Sequence, residues 1–132
     1  FVAEAVPRNR LLINDGRGFF TDETAQRLPE DRDNSFDGDF VDIDEDGDPD
    51  IITANLDDIS GRRFNAPYRV YVNNGQGAFE ESTKGVFPDG VTGNGLDIEA
   101  ADFSGDGRID LYLASRGGPD RLLFTRPSHA DD

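Results

Sequence analysis

Nine residues constrain this chain more than any other stretch: Asp42–Asp50, which reads DIDEDGDPD. Acids stand at loop positions 1, 3, 5 and 9, as Asp42, Asp44, Asp46 and Asp50, and Gly47 occupies position 6. A tight loop needs a residue there that accepts unusual backbone angles. Two like charges ~5 Å apart repel by about 3 kcal/mol at an effective dielectric near 20, so the loop alone would splay open. A hard cation with oxygen ligands reverses the sign of that term, and Ca²⁺ suits a flexible, carboxylate-rich loop better than Mg²⁺ does. The plain alternative is an Asp/Gly surface turn, since both residues favour turns. Turn formation, however, does not call for four acids at this spacing.

The loop opens like an EF-hand, D-x-D-x-D-G, but does not close like one. An EF-hand needs a bidentate Glu at position 12, where this chain has Thr53. The flanking segments, GDFVDI before and DIITAN after, are short and β-branched and so read as strands. The expected setting is a calcium loop at the tip of a β-hairpin.

The 132 residues suffice for one domain with a modest core. With 28 acids against 13 bases the net charge is −15, which argues against a nucleic-acid or anionic-membrane partner. There is no Cys, hence no disulfide and no thiolate metal site. No apolar run approaches the ~20 residues of a membrane-spanning helix. The chain opens on Phe1 without Met or a signal peptide and is expected to be a processed or partial chain. N-x-[ST] does not occur.

Motifs recur at a nearly constant spacing. NRLLINDGRGFF at Asn9–Phe20 reappears in YRVYVNNGQGAFEES at Tyr68–Ser82, with Arg10, Asn14, Gly16, Gly18 and Phe20 each 59 residues ahead of Arg69, Asn73, Gly75, Gly77 and Phe79. The acidic loop reappears at Asp102–Asp110 as DFSGDGRID, placing Asp102, Ser104, Asp106, Gly107 and Asp110 sixty residues after their counterparts. Ser104 keeps an oxygen at position 3 but loses a charge, so the second calcium site is expected to be the weaker. RLLF at Arg121–Phe124 matches RLLI at Arg10–Ile13. Self-similarity at such a period signals a repeat architecture. Each module holds four short strands, before and after the acidic loop and before and after the N-[ND]-G-x-G turn; helical periodicity is absent. Repeated four-stranded modules are blades of a β-propeller. Between the modules, Leu28–Asp37 reads as a polar loop in which Asp33, Ser35 and Asp37 faintly echo a metal loop without its final acid, and Arg62 and Arg63 read as a solvated loop tip.

The two D-x-[DS]-x-D-G-x-x-D loops and the two N-[ND]-G-x-G-x-F turns resemble the FG-GAP/VCBS repeat family, the blades of integrin α-subunit propellers and of many secreted bacterial proteins. The resemblance covers most of Asn9–Phe124. It implies one Ca²⁺ per loop, held by side chains at positions 1, 3, 5 and 9 and by a backbone carbonyl at position 7, here Asp48 and Arg108. It also implies that the strands flanking each metal loop are the inner pair of a blade and those flanking each glycine turn the outer pair. The expected fold is therefore all-β, with four-stranded antiparallel propeller-type blades numbering about two and incomplete at both ends. Residues 1–8 form an arm, 9–37 a half blade and loop, 38–94 a full blade with the first calcium loop, 95–125 a partial blade with the second, and 126–132 a tail. Closed propellers use roughly 4–8 blades, so this chain cannot close on itself.

Three functions compete. A calcium-stabilised extracellular structural or adhesion module would assemble with copies of itself, or with other blades of the same protein, by strand complementation into a ring or filament. A carbohydrate- or protein-binding propeller fragment would use Tyr68, Tyr71 and Tyr112 as stacking platforms, although aromatics at alternating strand positions more often belong to the core. Catalysis is the weakest: His129, the only histidine, sits in the polar RPSHADD tail, there is no Cys nucleophile, and no Ser lies in a strand–turn–helix elbow. A cation would depress the clustered Asp pKa values, whereas a glycosidase acid needs a raised one.

Overall fold

In a computed structural model, which describes residues 8–31, 33–56 and 66–126, the short β-branched runs become strands: β1 (Leu12–Asn14), β2 (Phe20–Asp22), β3 (Asn34–Val41), β4 (Asp50–Leu56), β5 (Ala66–Pro67), β6 (Arg69–Asn73), β7 (Phe79–Glu81), β8 (Thr92–Gly93), β9 (Gly95–Ala101), β10 (Asp110–Ser115) and β11 (Arg121–Leu123). Two single-turn helices, α1 (Thr24–Arg27) and α2 (Thr83–Val86), follow β2 and β7. The sequence reading missed both, because four residues are too few to show a helical period.

Every pairing is antiparallel, and the sheets reproduce the repeat. The complete blade is a four-stranded sheet in the order β3-β4-β6-β7. Among the described residues, the hairpin β1-β2 ahead of it is an outer pair alone, and the sheet β11-β10-β9 after it has three strands. The fold is all-β, consistent with propeller-type blades that are incomplete at both ends of the described residues, and among these residues the sheets do not close into a barrel. A two-stranded link, β5-β8, adds a pairing that two-residue strands could not announce in the sequence.

The core lies between the complete blade and the partial one. Ile52, Ala54 and Val70 from the first meet Ile98, Leu111 and Leu113 from the second, with Tyr68, Phe87 and Val91 closing the ends. Gly95 sits where these sheets approach most closely: a Cβ there would stand 2.7 Å from Ala54 Cβ and 2.8 Å from the Tyr68 ring. Tyr68 and Tyr71 are 1% and 2% exposed, so the sugar-stacking role open to them in the sequence is closed by burial. Tyr112 instead donates its hydroxyl to Asp120 Oδ2 at 2.6 Å.

The Leu28–Asp37 segment departs from the sequence reading. Its last four residues, Asn34–Asp37, belong to β3, which therefore starts four residues ahead of the expected full-blade boundary at 38. A register shift between Ser35 and Asp37 lets the strand continue past its regular pairing, and Ser35 Oγ anchors the extension on Asn55 Oδ1 at 2.8 Å. The faint metal-loop echo is spent on other partners: Asp33 pairs with Arg69 and Asp37 Oδ2 accepts from Ile98 N. The Phe1–Val6 arm, the Arg62–Arg63 pair and His129 lie outside the described residues.

Candidate metal centre

Both aspartate loops are the connections of inner strand pairs, β3 to β4 and β9 to β10. Position 1 organises each loop from its own side chain. In the first, Asp42 accepts from Asp46 N (3.0 Å) and Gly47 N (3.0 Å). In the second, Asp102 accepts from Gly105 N (2.7 Å), Asp106 N (3.0 Å) and Gly107 N (2.8 Å). Asp46 Oδ1 and Asp106 Oδ1 then take the N–H of Asp48 (2.9 Å) and Arg108 (3.0 Å). Gly47 and Gly107 adopt φ of 96° and 89°, the left-handed region that position 6 demands.

Position 9 is the buried anchor. Asp50 and Asp110 are both 0% exposed. Asp50 Oδ2 accepts from Ile43 N at 2.9 Å and Oδ1 from Asn73 N at 2.7 Å. Asp110 Oδ2 accepts from Ser104 N at 2.8 Å and Oδ1 from Thr125 N at 2.9 Å. Burial alone would raise the Asp110 carboxyl; the N–H groups of Ser104 and Thr125 outweigh it and hold the acid below its ordinary range.

Asn73 and Thr125 are the residues that sequence reasoning missed. Asn73 begins the glycine turn, where its Oδ1 accepts from Gly75 N (3.1 Å) and Gly77 N (2.9 Å), and its side-chain amide donates to Pro49 O at 3.1 Å. The turn of the outer pair is thus fastened to the loop of the inner pair. Thr125 has the same place after RLLF that Asn14 has after RLLI, and its hydroxyl donates to Ile109 O. That alignment was the available signal.

One oxygen each from Asp42, Asp44 and Asp50 lies within 4.8 Å of the others. Asp46 stands outside this group, and the second loop forms no such triad among the described residues. Desolvation by the surrounding loop, followed by the charges of Asp50, Asp46 and Asp42, pushes the exposed Asp44 carboxyl up from its ordinary value. The loop brings four carboxylates into nine residues, a concentration of negative charge that a cation would relieve. The donor set is oxygen only, without His or Cys, which fits Ca²⁺ rather than Zn²⁺ or copper. The backbone N–H groups on Asp50 aim its oxygens as outer partners do in metal sites. Glu45, at φ 63°, reaches across to the other loop, its carboxylate 3.6 Å from Arg108 Nε.

Comparison with known proteins agrees with the repeat. Residues 55–113 match the FG-GAP-like repeat. Cartilage acidic protein 1 of Mus musculus and of Homo sapiens are each 28% identical over 79 residues, 60% of this chain and 12% of the relative. The Xenopus tropicalis protein of that name is 31% identical over 74 residues, 56% of this chain and 11% of the relative. The chain thus spans about an eighth of the length of these relatives or less. No solved structure matches. Among the described residues no helix is long and apolar enough to cross a membrane.

Proposed function

We propose, from the FG-GAP-like repeat that residues 55–113 carry, that this chain is a calcium-binding structural module of an extracellular protein. The observation that carries this reading is the triad of Asp42, Asp44 and Asp50 oxygens within 4.8 Å of one another, held on backbone N–H groups at the tip of an inner strand pair. Position 3 of the second loop offers a serine hydroxyl, so the second site binds more weakly. Asp46 and Asp106 complete the side-chain sets, and the carbonyls of Asp48 and Arg108 fill position 7, as the family resemblance implies. The module works by assembly: copies of itself, or further blades of the same protein, complete its unfinished sheets by strand complementation, in a ring or a filament. Catalysis has no place in it, and its ligand, if it carries one, is a protein or carbohydrate held by the assembled blades.

The metal couples to folding because neither loop tolerates its charges alone. A ligand at 100 times its Kd adds about 2.7 kcal/mol to the folded state, a large share of a small domain's margin. Calcium titration by calorimetry is expected to show a tight and a weak site, and chelator to lower the melting temperature. A melt that is the same in calcium and in excess chelator refutes the reading.

A further inference from the structure

Asn-Gly occurs twice in the chain, at Asn74-Gly75 and at Asn94-Gly95. Asparagine is thermally labile, most of all before glycine, which has no side chain to shield its backbone nitrogen from the neighbouring amide. The fold treats the two pairs in opposite ways. Asn94 is 0% exposed, and a Cβ on Gly95 would stand 2.7 Å from Ala54 Cβ and 2.8 Å from the Tyr68 ring. Neither water nor a closing ring has room there. Asn74 and Gly75 are both exposed, in the glycine turn between β6 and β7.

Within that turn the Asn74 amide is held by its oxygen. Oδ1 accepts from Gln76 N at 3.0 Å and from Ala78 N at 3.3 Å. Donors aimed at an oxygen that gains negative charge lower the barrier to attack on its carbon. Against this, Gly75 N donates to Asn73 Oδ1 at 3.1 Å and must first be released. One such bond contributes modestly on balance, so it slows the reaction by roughly tenfold at most. Exclusion of water from Asn94 is the larger effect.

The glycine turn of β1-β2 shows which product fits. Asp15 has the place of Asn74, 59 residues earlier. Its Oδ1 accepts from Arg17 N at 2.7 Å and from Phe19 N at 3.2 Å, the same two bonds. An α-linked aspartate at position 74 therefore keeps the turn. A β-linked one adds a methylene to the backbone ahead of Gly75, where Asn73 Oδ1 must reach the N–H groups of both Gly75 and Gly77. Asn73 also ties the turn to the first aspartate loop, its own N–H on Asp50 Oδ1 at 2.7 Å.

We infer that Asn74 is a site of spontaneous modification, and that its β-linked product unfastens the glycine turn from the first aspartate loop. Gly75 N gives up its proton and attacks Asn74 Cγ. A C–N bond forms, the Cγ–Nδ2 bond breaks, and Nδ2 leaves as ammonia with that proton. The cyclic imide then takes up one water. Cleavage of the new Cγ–N bond gives α-linked aspartate; cleavage of the bond from the Asn74 backbone carbonyl to Gly75 N gives the β-linked form. Water is the only co-reactant, and nothing is oxidised or reduced. Either product puts a carboxylate near Asp48, whose Oδ2 lies 3.1 Å from where a Gly75 Cβ would stand. The second loop is tied through Thr125, which no Asn-Gly adjoins, so age acts on one loop and not on the other. The consequence for calcium rests on the repeat-module reading; the modification itself does not.

The test incubates the folded 132-residue chain in mildly alkaline buffer and maps its peptides by mass spectrometry, with the urea-unfolded chain as reference. Asn74 is expected to convert in both states. Asn94 is expected to convert readily only in urea, and in the folded chain to lag Asn74 by about tenfold or more. Equal folded rates at the two positions overturn the inference, as does a folded Asn74 that stays an amide while the unfolded one reacts. Asn74→Asp supplies the charge on an unaltered backbone and is expected to melt close to the original chain. Hydrogen exchange at the Asn73 amide is expected to be about tenfold or more faster in the β-linked fraction than in Asn74→Asp. Equal protection in the two overturns the unfastening. Calcium uptake is measured alongside. Conversion without uptake upholds the modification and defeats the calcium reading; uptake by a chain whose Asn74 does not convert defeats the modification alone.

Discussion

The two aspartate loops share a backbone plan and differ in what surrounds it. The first loop carries acids at all four side-chain positions, a strained Glu45 in the left-handed region, and an anchor, Asp50, tied to the glycine turn of the same blade through Asn73. The second carries a serine at position 3, a glycine at the place of Glu45, and an anchor, Asp110, tied to Thr125 just after the last strand. The first loop is more charged, yet its position-1 acid accepts two backbone N–H groups where that of the second accepts three. The second is relaxed, and its supporting contact lies just after a sheet that has three strands among the described residues. Charge and local support therefore do not rise together: the more charged loop draws its extra tie from the outer pair of its own blade, through Asn73.

The largest effect is expected at the buried anchors. Asp50→Ala strands the N–H groups of Ile43 and Asn73, and each buried unsatisfied donor costs about 1–3 kcal/mol. A loss of roughly 3 kcal/mol or more is expected, read as a lower urea midpoint. Asp110→Ala is expected to cost less, because Ser104 and Thr125 lie in a loop and beyond a terminal strand, where water can replace the acid. Equal losses would mean that the outer pair beside the first loop is irrelevant to loop support.

Exchanging the position-3 donors tests charge next. Asp44→Ser is expected to weaken the first site by about tenfold, the factor that corresponds to roughly 1.4 kcal/mol, and Ser104→Asp to strengthen the second by a similar factor. Calorimetric titration of both variants checks this; affinities that ignore the exchange would show that position 3 does not face the ion.

Backbone strain is a smaller matter. Glu45→Gly gives the first loop the residue that the second already has at φ 76°, Gly105. Relief of the left-handed cost is offset by greater freedom in the unfolded chain and by loss of the contact to Arg108, so the net change is expected to stay below about 1 kcal/mol. A calcium-free melt of the variant decides its sign.

The smallest effect lies outside both loops and supplies an acid baseline. The Thr24 hydroxyl, with the Arg10 guanidinium beside it, holds Asp22 down at about 2. An acid depressed in the folded state stabilises above its unfolded value, near ~3.9, and that contribution is lost as pH falls through the folded value. Asp22→Asn should therefore flatten the fall in melting temperature between about pH 4 and pH 2 without altering the calcium response. A changed calcium response would tie the β1-β2 hairpin to the metal loops.

Much of the architecture was legible because its signals are local. A glycine at position 6 and an asparagine at the head of a glycine turn each satisfy backbone demands within a few residues, so they recur with the repeat and can be aligned by eye. That was enough to anticipate β-blades, an unmatched hairpin at one end and a short sheet at the other. What the alignment could not carry were events without a period. The helices Thr24–Arg27 and Thr83–Val86 are one turn long, and the register shift in β3 recruited Asn34–Asp37 through a partner twenty residues away.

The acids were named by sequence alone; how they share their work was decided in three dimensions. Spacing marks Asp42, Asp44, Asp46 and Asp50 as equals, since it counts residues and not distances. Folding separates them: Asp42 spends its oxygens on the loop backbone, Asp50 is buried to hold two strands, and Asp46 falls outside the closest group of oxygens. Likewise the sequence presents Phe36 and Phe40 as ordinary strand aromatics. Only the packing of β9 against the complete blade, and the absence of a counterpart against β3 among the described residues, distinguishes the buried face from the exposed one. Local chemistry repeats with the chain, whereas burial depends on which neighbour the chain brings alongside.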